Sequence, residues 1–352
     1  MIDRRQVLSR ALAGIAVAPL MSPERLFARD GEHSYLRHVH PELRQIAARI
    51  LEMSAKESPI SLATLPTIRE AAAGWVPPAS DDIPYDRKII PGGKGQPDVE
   101  LYVVNSRPGE RRPAILHTHG GGFVSGSAKA STSMLQDLCR ELDCMAVSVE
   151  YRLAPETTWQ GSLEDSYAGL KWLHDNADAL GADPSRIALF GESAGGGHAA
   201  LLAIAARDRG EVPVAFQCLI YPMLDDRTGS TRQVPDHVGK IIWNAQKNRF
   251  GWECFLGVEP GSANVPASAV PARVNDLSGL PPAFIGVGTI DLFVDEDVDY
   301  AQRLNAAGVP VELIVVPGVF HGFDNPMFPA KVTRWFNAAK HEALRQAFQQ
   351  TA

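Results

Sequence analysis

Short apolar runs alternate with amphipathic stretches along most of the chain, and this alternation constrains the fold more than any other feature. The run at 144–149 is apolar or small throughout, which is typical of a strand covered on both faces. Similar runs lie at 99–104, 114–118, 186–190, 215–221, 283–288 and 311–316, and helical stretches lie near 133–142, 163–177, 195–207 and 298–307. Repeated strand–helix alternation predicts an α/β fold, with a mostly parallel sheet and helices on both of its faces.

The composition excludes several classes of protein. The 352 residues carry a formal net charge of −7, and no segment supplies the basic patch that nucleic-acid binding needs. No apolar run reaches the roughly twenty residues of a membrane span. The cysteines are too few and scattered for a disulfide scaffold or a Cys-x-x-Cys zinc site, and their apolar settings favour free thiols. They are Cys139, Cys144, Cys218 and Cys254. We therefore expect a globular enzyme with no nucleic-acid partner and no membrane span.

The first 28 residues have the layout of an export signal. Arg4 and Arg5 precede an uncharged apolar run from Ala11 to Leu20, and Ala28 offers a cleavage position. The adjacent arginines resemble a twin-arginine signal, which directs the export of folded proteins. The alternative is an amphipathic N-terminal helix on a cytoplasmic protein. We expect export, which would make the mature protein periplasmic or secreted.

Two segments depart from the strand–helix alternation. Apolar residues at three-and-four spacing predict helical structure over 33–74, within an N-terminal helical segment at 29–80. The stretch 224–275 is polar and irregular apart from its aromatic residues, and we interpret it as an inserted element that lies over the sheet, with a helix near 238–248. The strand–helix alternation itself occupies 81–352.

The pentapeptide Gly191-Glu-Ser193-Ala-Gly195 lies between a predicted strand and a predicted helix. Glycines on both sides allow a sharp turn that exposes the Ser193 hydroxyl, and the helix N-terminus beneath it favours developing negative charge. The alternative is an ordinary glycine-rich turn between strand and helix. We predict that Ser193 is a nucleophile.

The tetrapeptide His119-Gly-Gly-Gly122 follows another predicted strand. Consecutive glycines let backbone N–H groups approach a ligand, and two such donors with the N–H of Ala194 would form an oxyanion pocket. A phosphate loop would end in Gly-Lys-Ser or Gly-Lys-Thr, which this segment lacks. His117 and His119 have metal-like spacing, but no acidic or cysteine ligand lies nearby, so we predict no metal site. We expect His119 to be a structural residue that fixes the loop.

A carboxylate and a histidine follow the last two predicted strands. Asp291 comes after the first of these strands and His321 after the second. A serine nucleophile needs a histidine base, which in turn needs a carboxylate to fix its tautomer. The order Ser193, Asp291, His321 is the chain order of the α/β-hydrolase fold. Asp295 is the reserve candidate for the acid, and His198 is expected to be a packing or surface residue.

Five motifs in this order resemble those of the bacterial hormone-sensitive lipase family of α/β-hydrolases. The motifs are His119-Gly-Gly-Gly-Phe123, Glu150-Tyr-Arg-Leu-Ala-Pro-Glu156, Gly191-Glu-Ser-Ala-Gly-Gly196, Leu280-Pro-Pro-Ala283 and His321-Gly-Phe323. The resemblance runs from about residue 40 to the C-terminus. It implies the nucleophile Ser193, the base His321, the orienting acid Asp291, and an oxyanion hole formed by the N–H groups of Gly121, Gly122 and Ala194. It also implies that the N-terminal segment 29–80 and part of 224–275 form a cap over the acyl pocket of a catalytic domain at 81–352.

This sequence departs from the family's pattern in three places. Leu292 follows Asp291 where the family has proline, and His198 stands where asparagine is common. Both changes leave the predicted triad intact. Residues 157–161 read Thr-Thr-Trp-Gln-Gly where the family has His-Pro-Phe-Pro-Ala, which leaves the shape of the substrate pocket open.

The resemblance implies a serine carboxylesterase that hydrolyses short- to medium-chain carboxylic esters through an acyl-enzyme on Ser193. Such an enzyme needs no metal or organic cofactor, and its partner is a small-molecule ester. We keep a homodimer as a candidate assembly. Two alternatives within catalysis are an amidase and a lactone or aryl-ester hydrolase with the same triad. An alternative outside catalysis is a ligand-binding protein on the same scaffold.

Overall fold

The computed structural model describes residues 34–74 and 76–350, so the predicted export signal lies outside the described residues. The chain divides into two compact units, Met1–His38 and Val39–Ala352. In the first unit the described residues form one 3-10 helix, Ser34–His38. All elements described below belong to the second unit.

An eight-stranded sheet forms the centre of this unit. Its strands are β1 Tyr85–Ile90, β2 Val99–Val104, β3 Arg112–Thr118, β4 Met145–Glu150, β5 Ala182–Glu192, β6 Phe216–Ile220, β7 Ala283–Gly288 and β8 Val311–Val316. The spatial order is β1-β2-β4-β3-β5-β6-β7-β8. Strand β2 is antiparallel to both of its neighbours, and every pair from β4 to β8 is parallel. The predicted α/β fold with a mostly parallel sheet is confirmed.

The helices described in this unit are α1 Arg44–Ser54, α2 Leu65–Ala73, α3 Ala128–Leu142, α4 Trp159–Asp175, α5 Ala177–Leu180, α6 Ala194–Arg209, α7 Ala245–Leu256, α8 Val294–Ala306 and α9 Lys331–Gln350. Along the chain they precede the sheet (α1 and α2), connect its strands (α3 to α8) and follow it (α9). Short 3-10 helices lie at Pro41–Leu43, Ala267–Ala269 and Pro271–Arg273. No described helix is long and apolar enough to cross a bilayer.

Side chains alternate between the two faces of the sheet, and each face packs on its own helices. Leu116 in β3 and Leu189 in β5 share one apolar cluster with buried residues of α4, α6 and α8. Phe190, next to Leu189, and Phe284 in β7 are also buried. Phe190 points to the opposite face because the side-chain period of a strand is two residues. Helix α9 covers Phe284 with Phe336, whose ring centre lies 6.3 Å away, and α9 also contacts α3.

The prediction of helical structure over 33–74 is confirmed in part. Helices α1 and α2 lie within this range, but 55–64 separates them. Pro59 lacks a backbone N–H and interrupts the helical pattern. The Thr64 hydroxyl then donates to the Pro59 carbonyl at 2.9 Å and closes the turn before α2. Strand β1 has no counterpart in the predictions, because it is an edge strand with every side chain exposed except that of Ile90.

The prediction of a helix near 238–248 is wrong. Helix α7 begins only at Ala245, where the Asn244 side chain accepts a hydrogen bond from the N–H of Lys247 at 2.9 Å. This contact is a helix N-cap, so the sequence itself marks the start. Ile242, just before it, has a φ of 66°, which a helix cannot accommodate.

All four cysteines are buried and free, as their apolar settings predict. Cys139 closes the C-terminal turn of α3, where its carbonyl accepts the N–H of Asp143. Burial raises the pKa of the Cys254 thiol to about 11, which keeps it protonated near neutral pH. The cysteines therefore act as small apolar side chains in the core.

Truncation of the central strand should cost much of the stability of the domain. Leu189 is fully buried at the middle of the sheet, so Leu189→Ala loses apolar contacts and leaves a cavity. We expect the free energy of unfolding in urea to fall by about 2–5 kcal/mol. The matched control is Leu62→Ala, because Leu62 is 64% exposed and its truncation should change stability by less than about 0.5 kcal/mol. Equal effects of the two substitutions would contradict the assignment of β5 to the core.

Candidate active site

Ser193 lies on a strained turn between β5 and α6. Its φ of 59° and ψ of −125° are outside the regions that residues with a side chain prefer. Glycine is required on both sides of this turn, because the chain approaches itself closely. A Cβ on Gly191 would lie 2.3 Å from the Gly195 carbonyl oxygen, and one on Gly195 would lie 2.0 Å from the oxygen of Thr118. The turn directs the serine hydroxyl away from the sheet.

The three polar side chains predicted from chain order meet at the carboxyl ends of β5, β7 and β8. The Ser193 hydroxyl lies 2.9 Å from Nε2 of His321, and Nδ1 of His321 lies 2.9 Å from Oδ2 of Asp291. Oδ1 of Asp291 accepts the N–H of Phe293 at 3.0 Å. Because the carboxylate only accepts, Nδ1 carries the ring proton and Nε2 is free to accept from serine.

The neighbouring acids of the Asp291 segment face elsewhere. Asp295, the reserve candidate for the acid, is exposed in the first turn of α8. Oε1 of Glu296 accepts the N–H groups of Leu224 and Asp225 at 2.6 and 3.1 Å, which ties α8 to the segment after β6. Burial raises the pKa of Glu296 well above its usual range. Among these carboxylates, the structure brings Asp291 to the histidine.

The glycine loop after β3 lies beside Ser193 with its N–H groups available. Gly121 and Gly122 have φ values of 128° and 62°, which a residue with a side chain adopts only under strain. Space is also lacking, because a Cβ on Gly121 would lie 2.1 Å from the Ser125 oxygen. Among the described residues, no protein acceptor takes the N–H of Gly121, Gly122 or Ala194. The three donors are therefore free to bind an oxyanion.

Stacked aromatic rings pack against the residue at the start of this loop, His119. His119 stacks on Tyr151 with a centroid distance of 4.2 Å, and the Tyr151 hydroxyl donates to the His119 carbonyl at 2.6 Å. His119 also donates from Nδ1 to the Gly120 carbonyl at 2.9 Å, consistent with a structural role. His198 lies against the same tyrosine at 4.3 Å and is fully buried, which confirms its packing role. Burial lowers the pKa of both histidines to about 3, so both rings are neutral near pH 7.

A second polar layer lies under the nucleophile, and sequence reasoning did not find it. His117 is buried between Ser148, whose hydroxyl lies 2.8 Å from Nδ1, and Glu192, whose carboxylate lies 3.1 Å from Nε2. Both ring nitrogens are thus used, which leaves none for a metal. No group of three His, Cys, Asp or Glu side chains suited to a metal ion occurs among residues 34–74 and 76–350.

A buried chain of three side chains holds the His321 loop, and it too was missed from the sequence. The Tyr221 hydroxyl donates to Oδ1 of Asp324 at 2.5 Å, and Nζ of Lys340 lies 2.9 Å from Oδ2. The ring of Tyr221 lies 4.5 Å from the imidazole of His321. Burial lowers the pKa of Lys340, but the carboxylates of Asp324 and Glu192 outweigh it and the net pKa is raised. Lys340 is therefore a buried cation paired with Asp324.

The α/β-hydrolase class is defined by a serine, a histidine and an aspartate at the carboxyl ends of a parallel sheet, beside a glycine loop with free N–H groups. A family profile described as an alpha/beta hydrolase fold matches residues 115–325. The chain is 35% identical over 236 residues to esterase LipI of Mycobacterium tuberculosis, covering 66% of this chain and 73% of that protein. It is 39% identical over 221 residues to carboxylesterase NlhH of the same organism, covering 60% and 67%.

A similar solved structure is that of a bacterial heroin esterase. It superposes with a TM-score of 0.79 at 36% identity and covers 89% of this chain and 99% of that chain. The chain belongs to the α/β-hydrolase family. Its reaction class is the hydrolysis of carboxylic esters.

Removal of the Lys340 ammonium should destabilise the protein and disturb the His321 loop. Lys340→Met leaves the buried Asp324 carboxylate without its cation. We expect the free energy of unfolding in urea to fall by about 3–5 kcal/mol and ester turnover to fall with it. The double variant Lys340→Met/Asp324→Asn removes both charges and should recover part of the stability. A single variant as stable as the wild type would show that the pair does not hold this loop.

Proposed function

We propose that the protein is a serine carboxylesterase in which Ser193 is the nucleophile, His321 the base and Asp291 the orienting acid. The Ser193–His321–Asp291 geometry carries this proposal, because one continuous hydrogen-bonded chain links the hydroxyl to a buried carboxylate. The Gly121, Gly122 and Ala194 N–H groups form the oxyanion hole. The sequence motifs additionally support a place in the bacterial hormone-sensitive lipase branch.

The first half of the reaction forms the acyl-enzyme. Oγ of Ser193 bonds to the ester carbonyl carbon while its proton passes to Nε2 of His321, and the carbonyl oxygen becomes an oxyanion in the hole. Asp291 stays ionised and stabilises the imidazolium through Nδ1–H. The carbon–oxygen bond to the alcohol then breaks, and His321 returns the proton to the leaving alkoxide.

Water completes the cycle from the same side. It attacks the acyl carbon and gives a proton to Nε2 of His321, and the second tetrahedral intermediate uses the same oxyanion hole. Collapse of this intermediate releases the carboxylic acid, and the proton returns to Oγ of Ser193. Every proton transfer in the cycle passes through Nε2 of His321.

We further propose that helices of 29–80 and 224–275 cap this site. The Arg69 guanidinium on α2 donates to the carbonyls of Val124 and Ala154 at 2.7 Å each, and pairs with both oxygens of Glu156. These contacts tie α2 to the end of the glycine loop and to the segment after β4. Helix α7 packs on the loop itself, since a Cβ on Gly251 would lie 2.6 Å from the Gly122 oxygen. The family resemblance additionally implies short- to medium-chain acyl groups as substrates.

Replacement of the nucleophile tests the proposed function. We expect Ser193→Ala to lower kcat on p-nitrophenyl acetate and butyrate by roughly four orders of magnitude or more, because no other hydroxyl can replace Oγ. The matched control is Ser278→Ala, which removes an exposed serine hydroxyl and should retain full activity. Turnover by Ser193→Ala equal to that of the wild type would overturn the assignment.

We also propose that the protein is exported through a twin-arginine signal in residues 1–28. Edman sequencing of protein recovered from a bacterium with an active twin-arginine pathway should give an N-terminus near residue 29. The matched control is Arg4→Lys/Arg5→Lys, which keeps the charge and should retain the uncleaved protein in the cytoplasm. Recovery of the wild type with Met1 or Ile2 at its N-terminus would contradict export with cleavage. The homodimer stays a prediction, which analytical ultracentrifugation would check.

A further inference from the structure

Trp243 lies at the edge of the proposed oxyanion hole, and no step of the reaction above uses it. A Cβ on Gly122 would lie 2.1 Å from Cη2 of this indole, so the ring is in contact with the loop backbone. The centre of the ring lies 6.5 Å from the centre of the His321 imidazole. The side chain is only partly buried. Trp243 thus has one edge against the glycine loop and retains exposed surface that a bound molecule could contact.

The position of the indole is fixed on both sides. Its Nε1–H donates to Oδ1 of Asn248 at 3.1 Å, and Nδ2 of the fully buried Asn248 donates to the Thr228 carbonyl at 2.8 Å. Ile242, the preceding residue, has a φ of 66°, which is rare for a β-branched residue. A Cβ on Gly322, the residue after His321, would lie 3.4 Å from Cδ1 of Ile242. Ile242 and Trp243 together therefore link the oxyanion loop to the His321 loop.

The four substituents of the carbon in the tetrahedral intermediate show which part of a substrate lies near the Trp243 ring. Oγ of Ser193 is one substituent, and the oxyanion, directed at Gly121 and Gly122, is the second. The third is the leaving alcohol, whose oxygen must lie at Nε2 of His321 to receive its proton. The acyl chain takes the remaining direction. A ring in contact with Gly122 and near His321 borders the side on which the alcohol leaves.

We propose that Trp243 forms a wall of the leaving-alcohol pocket and favours esters of planar, aromatic alcohols. The inference rests on the proposed function, since it assumes attack by Ser193 and proton delivery by His321. An indole fixed by a hydrogen bond offers a flat apolar face at little entropic cost. An aromatic alcohol stacks on that face, whereas a saturated ring of the same size contacts it less closely. Trp243 is a specificity-determining residue that leaves the chemistry of the acyl-enzyme unchanged.

The test compares esters that differ only in the shape of the alcohol. Benzyl acetate and cyclohexylmethyl acetate have the same carbon skeleton and similarly poor leaving groups, but only the benzyl ring is planar. In Trp243→Leu we expect the ratio of kcat/KM for benzyl over cyclohexylmethyl acetate to fall roughly three- to tenfold, mainly through KM. Trp243→Phe retains a flat ring and should keep most of the wild-type ratio. Trp243→Met replaces the leucine variant if that variant does not fold.

Two further measurements separate the possible outcomes. The ratio for benzyl butyrate over benzyl acetate probes the acyl side and should stay within about twofold of the wild-type value. The matched control Trp335→Leu removes a tryptophan that is 54% exposed on α9 and should change neither ratio. An unchanged alcohol ratio in Trp243→Leu, or an acyl ratio that changes as much, would overturn the assignment of Trp243. Failure of the proposed function itself would appear differently, as equal turnover by the wild type and Ser193→Ala.

Discussion

The left-handed turn at Ser193 is the constraint on which the rest of the site depends. The Ser193 N–H donates to the Ile220 carbonyl at 2.9 Å, and the Ser193 carbonyl accepts the N–H of Met223 at 2.9 Å. Strand β6 and the residues after it therefore hold the turn from one side. On the other side, the absence of a side chain at Gly195 lets the turn rest on the end of β3. Strain of this kind persists only where the surrounding structure determines the backbone fully. Contacts with the sheet therefore hold Ser193 in the conformation that exposes its hydroxyl.

Precision at the histidine comes from a different source than precision at the serine. The serine is fixed by backbone geometry, whereas His321 lies on a loop and depends on side chains that reach it from distant elements. Asp291 orients the ring directly, and Tyr221, Asp324 and Lys340 hold the loop from behind. A buried ion pair such as this adds little net stability but restricts geometry, because either partner alone would be an unpaired buried charge. These contacts restrain His321 at the position where proton transfer requires a fixed geometry.

The fold, and the meeting of Ser193, Asp291 and His321 at one end of the sheet, follow from local patterns in the sequence. Short apolar runs mark the buried strands, and Ser193, Asp291 and His321 each follow such a run. The same reasoning fails where the determining contacts are distant. Tyr221 and Asp324 are 103 residues apart, and no spacing in the chain predicts their hydrogen bond. Helix α7 begins later than predicted because the Asn244 N-cap fixes its start, and Trp243 just before it belongs to no recognised motif.

The two neutral histidines beneath the glycine loop have a consequence for the end of the reaction. Because burial lowers the pKa of His119 and His198 to about 3, the proposed oxyanion hole relies on N–H dipoles and not on a positive charge on either histidine. Dipoles aimed at one point stabilise a localised oxyanion more than the spread charge of a carboxylate. The carboxylate product consequently forms no salt bridge with either histidine. Its release does not require such an ion pair to be broken.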